Sequence, residues 1–158
     1  VARVASDQLD PEFADSLARE MRRVLRRDGR LRVADSAGAA DAILRMNLVS
    51  LLTRPVAFDR FDAVLDYETT VKVAAVLETS GGQLLWKGRD IGATRSHAAD
   101  ASAVVTTSSG FQSSERLLLG DLEAYDAVQL GEARERQARG RIASDLAAAV
   151  YARILEDR

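Results

Sequence analysis

The sequence contains no cysteine. That absence excludes a disulfide framework, a thiolate zinc site and a thiol nucleophile; it suits an oxidising compartment without requiring one. Histidine occurs once, at His97. A hydrolytic triad needs a base aimed at a nucleophile. Ser96 is adjacent, but no nucleophile-elbow motif surrounds it, so catalysis by His97 is not expected. Metal ligation by His97 with Asp100 is weaker still. No run of about eighteen apolar residues exists, so no helix is expected to span a membrane. Charge of either sign is not in excess: 22 basic against 24 acidic residues leave a net charge of −2, with no overall pull toward nucleic acid or anionic membrane. Gly81-Gly82 lacks the following Lys-Ser/Thr of a phosphate loop and sits in a hairpin. Asp66 and Glu68 share a strand face, but the wet side of any amphipathic strand supplies such pairs. No catalytic residue, metal or cofactor is therefore expected. The chain also starts at Val1 without methionine, so something upstream is expected to have been removed, by nature or by cloning, and any signal peptide or lipid anchor with it.

What is present is organised around residues 64–94. Leu65, Tyr67, Thr69, Val71, Val73, Ala75 and Leu77 fall at every second position, with Asp66, Glu68, Thr70 and Lys72 between them. That is the period of a strand with one face on a core and the other in water. Ser80-Gly81-Gly82-Gln83 supplies a tight turn, and Leu84 to Thr94, carrying Leu85, Trp86 and Ile91, returns as a second strand. The pair reads as a long antiparallel hairpin at the centre of a sheet.

Upstream, Val1 to Ala5 reads as the end of a first strand. Asp10-Pro11-Glu12 predicts a helix start: an N-cap, a proline fitted to the first helical position and an acid at the positive end of the dipole. Phe13, Leu17, Met21, Val24 and Leu25 share one face, and Gly29 is placed as the left-handed stop. Opposite them runs a basic stripe, Arg19, Arg22, Arg23, Arg26 and Arg27. A solvated helix face is the ordinary explanation; a surface for an anionic partner is the functional one. Leu31 and Val33 alternate with Arg30 and Arg32 as a short strand. Ala42 to Leu52 predicts a further strand with a bulge at Leu48-Val49, closed by Pro55. Residues 54–62 are read as a loop that tucks Phe58 and Phe61 onto the sheet edge.

Downstream, 97–114 is rich in small polar residues, and mobility in the isolated domain is expected. Val104 to Thr107 is a candidate edge strand. Glu115 to Leu130 reads as a short helical or extended piece. From Gly131 a helical pattern returns, with Ala138, Ile142, Leu146, Ala149, Val150 and Ile154 on one face. The whole, 1–158, is expected to form a single α+β domain, with two helices packed on one face of a four-stranded, mostly antiparallel sheet.

The order of these signatures resembles the LptE family of lipopolysaccharide-assembly lipoproteins. The resemblance is carried by Asp28-Gly29-Arg30-Leu31-Arg32-Val33, Ala40-Asp41-Ala42-Ile43-Leu44, Tyr67 to Leu77, the Gly81-Gly82 turn, Leu84-Leu85-Trp86-Lys87, and the tail from Glu132-Ala133-Arg134 through Ile142 to Leu155. It implies a non-enzymatic protein, lipid-anchored through a missing N-terminal segment at the periplasmic face of the outer membrane. Such a protein would plug the lumen of an LptD-type β-barrel and assist lipopolysaccharide delivery. It implies no nucleic-acid partner, and no aromatic platform accompanies the arginine stripe. The 97–130 segment is longer than the resemblance leads one to expect, and the Ser80–Gln83 turn has no basic residue to meet lipid phosphates. Lys72, Lys87, Arg89, Arg54 and Arg60 are the nearest candidates, on charge alone. Thr69, Thr70, Thr94, Arg95 and 102–114 would face the barrel. The competing reading is an auxiliary lipoprotein of an ABC-type lipid transport system in the cell envelope.

Overall fold

In the computed structural model the described residues are 2–5, 10–30, 32–34, 36–99 and 119–156. Three long strands, β2 (Ala42–Phe58), β3 (Val64–Thr79) and β4 (Leu84–Ala98), form an antiparallel meander. A four-residue strand, β1 (Ala2–Ala5), pairs parallel to β2 from Leu44 to Asn47, giving the order β1-β2-β3-β4. Two helices, α1 (Pro11–Asp28) and α2 (Leu119–Glu156), complete the α+β fold.

The local signals that set α1 act as expected. Asp10 accepts a hydrogen bond from the Phe13 amide at 2.9 Å, and Gly29 takes φ +74°. Asp10 also meets Arg139 of α2 at 2.7 Å, so one carboxylate both caps a helix and ties it to its neighbour. The Gly81-Gly82 turn closes with Gly82 at φ +86°, its amide donating to the Thr79 carbonyl.

One face of the sheet is dry. Leu44, Met46 and Leu48 of β2, Val71, Val73 and Ala75 of β3, and Trp86 and Ile91 of β4 are buried there. They form one core with Phe13, Leu17, Met21 and Leu25 of α1 and Ile142, Leu146, Val150 and Ile154 of α2. The bulge falls where the sequence placed it: pairing skips between Leu48 and Ser50, leaving Val49 unmatched. This step keeps Leu51 opposite Val71 on the core side, where strict alternation from Leu48 would have placed Ser50.

Several expectations fail. Of the expected Arg30–Val33 strand, Leu31 lies outside the described residues, and Arg30, Arg32 and Val33 form no strand, no partner being there to hold so short an alternation among the described residues. β2 does not stop at Pro55 but continues to Phe58; β1 reaches only Asn47, so among the described residues Pro55 lies on an unpaired edge, where a proline is tolerated in a strand. Arg54 to Phe58 are thus strand rather than loop, and the turn is confined to 59–63, where Asp59 accepts from the Phe61 and Ala63 amides. β4 runs on through His97 and Ala98. α2 begins at Leu119, well before Gly131. The candidate edge strand Val104–Thr107 and the polar segment from Asp100 to Ser114 lie outside the described residues. Among the described residues no helix is long and apolar enough to cross a membrane.

The two helices run in the same direction, since Arg139 meets the start of α1 and Tyr151 lies beside Asp28 at its end. Tyr151 is 7% exposed. Burial and then the Asp28 carboxylate push its phenol above the ordinary pKa of 10.0, while Arg30 pulls the other way. Above that ordinary value the unfolded chain releases the proton and the folded chain holds it, so stability is lost as pH rises toward the raised value. Tyr151→Phe is expected to overtake the parent protein in thermal midpoint above about pH 10 and to run parallel to it below. Midpoints that stay parallel throughout a scan from about pH 8 to 11 would contradict this.

Candidate functional site

The helices cover only one side of the sheet, and the other side carries the exposed chemistry. There Arg54 of β2 is bound by Glu68 of β3 at 2.7 Å, and Arg45 reaches Glu78 at 2.8 Å. The Thr70 and Thr94 hydroxyls meet across the β3–β4 pair at 3.0 Å. Lys72 and Lys87 stand exposed on the same side. Cross-strand pairs of this kind contribute roughly 0.2–1 kcal/mol each to the sheet, so they keep the wet face ordered without filling it.

At the β2–β3 end large apolar side chains also stand exposed. Leu52, Val56, Phe58, Phe61 and Leu65 are 41–74% exposed, with Phe61 the most open. Phe58 and Phe61 therefore do not tuck onto the edge. The Asp59 turn instead holds the tip out, and the Arg60 guanidinium lies 4.6 Å from the Phe61 ring centroid, a contact that favours a cation over an aromatic face.

The sequence-selected basic residues do not gather. Lys87 pairs in register with Val76, and Arg60 lies beyond Val64, so about 40 Å of strand separates them at ~3.3 Å per residue. Arg54 is engaged by Glu68, and the Arg89 carbonyl accepts from Arg153. On α1, Arg19, Arg22, Arg23, Arg26 and Arg27 are all exposed, and Arg23 in addition binds Glu20 at 2.7 Å and reaches Ser144 of α2. Of the side chains expected to face a partner, Thr70 and Thr94 lie on the open face. Thr69 does not: it is fully buried and its hydroxyl lies 2.9 Å from that of Thr53. Arg95 also lies on the helix side, bound to Asp145 of α2 at 2.6 Å. Sequence reasoning missed this β4–α2 contact, although the Thr69 alternation with Val71 and Val73 already placed Thr69 on the dry face.

Among the described residues no group of three metal-ligating side chains occurs. The sequence model of the LptE lipopolysaccharide-assembly family matches residues 1–154. This chain belongs to the LptE family. The family is one of non-enzymatic lipoproteins of lipopolysaccharide assembly. The fold matches a candidate lipoprotein from Caulobacter crescentus at 13% identity, with a TM-score of 0.58 over 97% of this chain and 86% of that one. A minor lipoprotein from Acinetobacter baumannii is similar at 15% identity, with a TM-score of 0.54 over 99% and 91% of the two chains. At these identities the likeness speaks for the fold alone. A comparison with curated proteins found no match.

Proposed function

We propose that this LptE-family chain is anchored by lipid at the periplasmic face of the outer membrane. There it sits within the lumen of an LptD-type β-barrel and assists the passage of lipopolysaccharide to the outer leaflet. The observation that supports this most is the half of the meander that the described residues leave uncovered. A domain stable by itself rarely exposes this many large apolar side chains on one hairpin. Here they adjoin a face of hydroxyls and paired charges suited to the polar interior wall of a barrel. Lys72, Lys87, Arg89, Arg54 and Arg60 remain the proposed lipid contacts, individually rather than as one cluster. The α1 arginines are proposed to meet an anionic partner surface.

The test is capture of the full-length anchored protein from its native envelope, with a photo-crosslinking residue placed at Phe61 or Thr94 and, for comparison, at Ala152 on α2. A large outer-membrane barrel is expected in detergent, crosslinked from the first two positions and far less from the third. An inner-membrane ABC complex, or no membrane partner, would overturn the assignment.

A further inference from the structure

The helix layer presents its outer side away from the sheet, and over its second half that side is cationic. At about 100° per residue, Arg19, Arg22, Arg26 and Arg27 project from α1 opposite the buried Phe13, Leu17 and Met21. All four are exposed and make no ion pair among the described residues. Arg23 stands among them with its charge met by Glu20 at 2.7 Å. On α2, Arg141, Ala148 and Ala152 project away from the buried Leu146 and Val150, and Arg141 likewise makes no ion pair among the described residues. Contacts of Asp10 with Arg139 and of Arg23 with Ser144 hold the helices side by side, so these guanidiniums share one surface.

The acids nearest this surface are already engaged. Glu20 is taken by Arg23, Asp28 lies 3.3 Å from Arg30, and Asp145 is held by Arg95 of β4. Glu12 and Asp15 precede the patch at the start of α1, and Glu156 follows it at the end of α2. A chain of net charge −2 thus concentrates the opposite sign on one helix face. That face exposes no large apolar side chain: those exposed among the described residues lie on β2, β3, β4 or the turn at Phe61. A protein interface draws its affinity from an apolar or aromatic centre, and single-stranded nucleic acid from aromatic platforms. Neither is offered here.

We infer that the outer helix face docks on the surface of an anionic phospholipid bilayer, with Arg19, Arg22, Arg26 and Arg27 meeting its headgroup phosphates and Arg141 adding to the field. The α1 charges are spread along about 12 Å of helix at 1.5 Å per residue rather than converging on one point. That spacing suits many separate phosphates on a plane better than one compact ligand, and guanidinium forks match phosphate oxygens. With no apolar side chain to insert, the contact is electrostatic and stays at headgroup level. The inference rests on the reading above only in naming the anionic surface proposed there for α1. Vesicle binding can fail while barrel capture succeeds, and the reverse.

The test is flotation of the full chain, carrying no lipid, with vesicles of phosphatidylcholine alone or mixed with phosphatidylglycerol. Retention is expected on the mixed vesicles only. Raising sodium chloride from about 0.1 to 1 M shortens the screening length from about 10 to 3 Å and should release the protein. Each arginine near an anionic surface contributes about fivefold to binding, so Arg22→Gln with Arg26→Gln should weaken retention by roughly 25-fold. Arg45→Gln, on the far side of the sheet and bound to Glu78, should leave it unchanged. Circular dichroism confirms that each variant is folded. Equal retention on neutral vesicles, retention that survives high salt, or retention that the double α1 variant leaves intact would overturn the inference. So would no retention at all, or release from the vesicles by a short DNA duplex at equal phosphate concentration, which would assign the face to nucleic acid.

Discussion

Leu146→Ala is expected to destabilise the fold by about 2–5 kcal/mol, the range for truncating a large buried aliphatic side chain. Leu146 is fully buried on α2 and belongs to the same core as Met21 of α1 and Ile91 of β4. Its removal opens space where helix, helix and sheet meet. None of the three can close the gap without disturbing its contact with the other two, which favours the upper part of the range. For a domain with typical stability of about 5–15 kcal/mol this is a large fraction. The thermal midpoint should fall by roughly 4–20 °C. Ala148→Ser, two residues further along α2 at an exposed position, should change stability by no more than about 0.5 kcal/mol. Urea denaturation of both variants reads the difference. A loss under about 1 kcal/mol for Leu146→Ala would mean that α2 docks on a yielding surface rather than a packed one.

Gly88→Ala should cost about 1–3 kcal/mol by overpacking. Gly88 is buried on β4 opposite Ala75, and the Trp86 ring folds back over it. A Cβ at Gly88 would come 2.5 Å from Trp86 Cη2, 2.8 Å from its Cζ2 and 2.9 Å from Ile91 Cδ1. The obstruction is side chain rather than backbone, so it should be relieved by removing the ring. Trp86→Leu creates a cavity of its own, but in that background the added methyl at 88 should cost much less, since only the Ile91 Cδ1 contact at the end of a flexible side chain remains. Circular dichroism, which does not depend on the tryptophan, gives the four stabilities of the double-mutant cycle. A coupling near zero would show that Trp86 is not what excludes the methyl group.

Features set by adjacent residues were legible in the chain. The Asp10 cap, the Pro11 start and the Gly29 stop all act within one turn of the helix they bound. The Ser80–Gln83 turn and the Leu48 bulge are likewise local. What escaped reading depends on partners distant in sequence. Ser96, His97 and Ala98 look like loop, yet they are strand because Glu68, Tyr67 and Asp66 pair with them. Pro55 looks like a strand end but lies where the edge is unpaired among the described residues. Arg30, Arg32 and Val33 keep the alternation but find no strand to join among the described residues. The open polar face could be inferred from the Lys72 and Thr70 alternation. The exposure of Phe58 and Phe61 could not, because it depends on the Asp59 turn. The contact of Arg95 with Asp145 joins β4 to α2 across 50 residues with a long polar stretch between them, and no spacing rule reaches that far.

The strand order sets an order of assembly. β2, β3 and β4 are neighbours in both sequence and space, so each pairing closes only a short loop and little chain entropy opposes it. The helices come together across a much greater span: Arg23 and Ser144 are 121 residues apart. During synthesis the meander is complete well before the second half of its cover exists. In that interval Val71, Val73 and Ile91 present a bare apolar plane to other nascent chains, and a holding chaperone that recognises extended apolar segments has its moment of greatest value there.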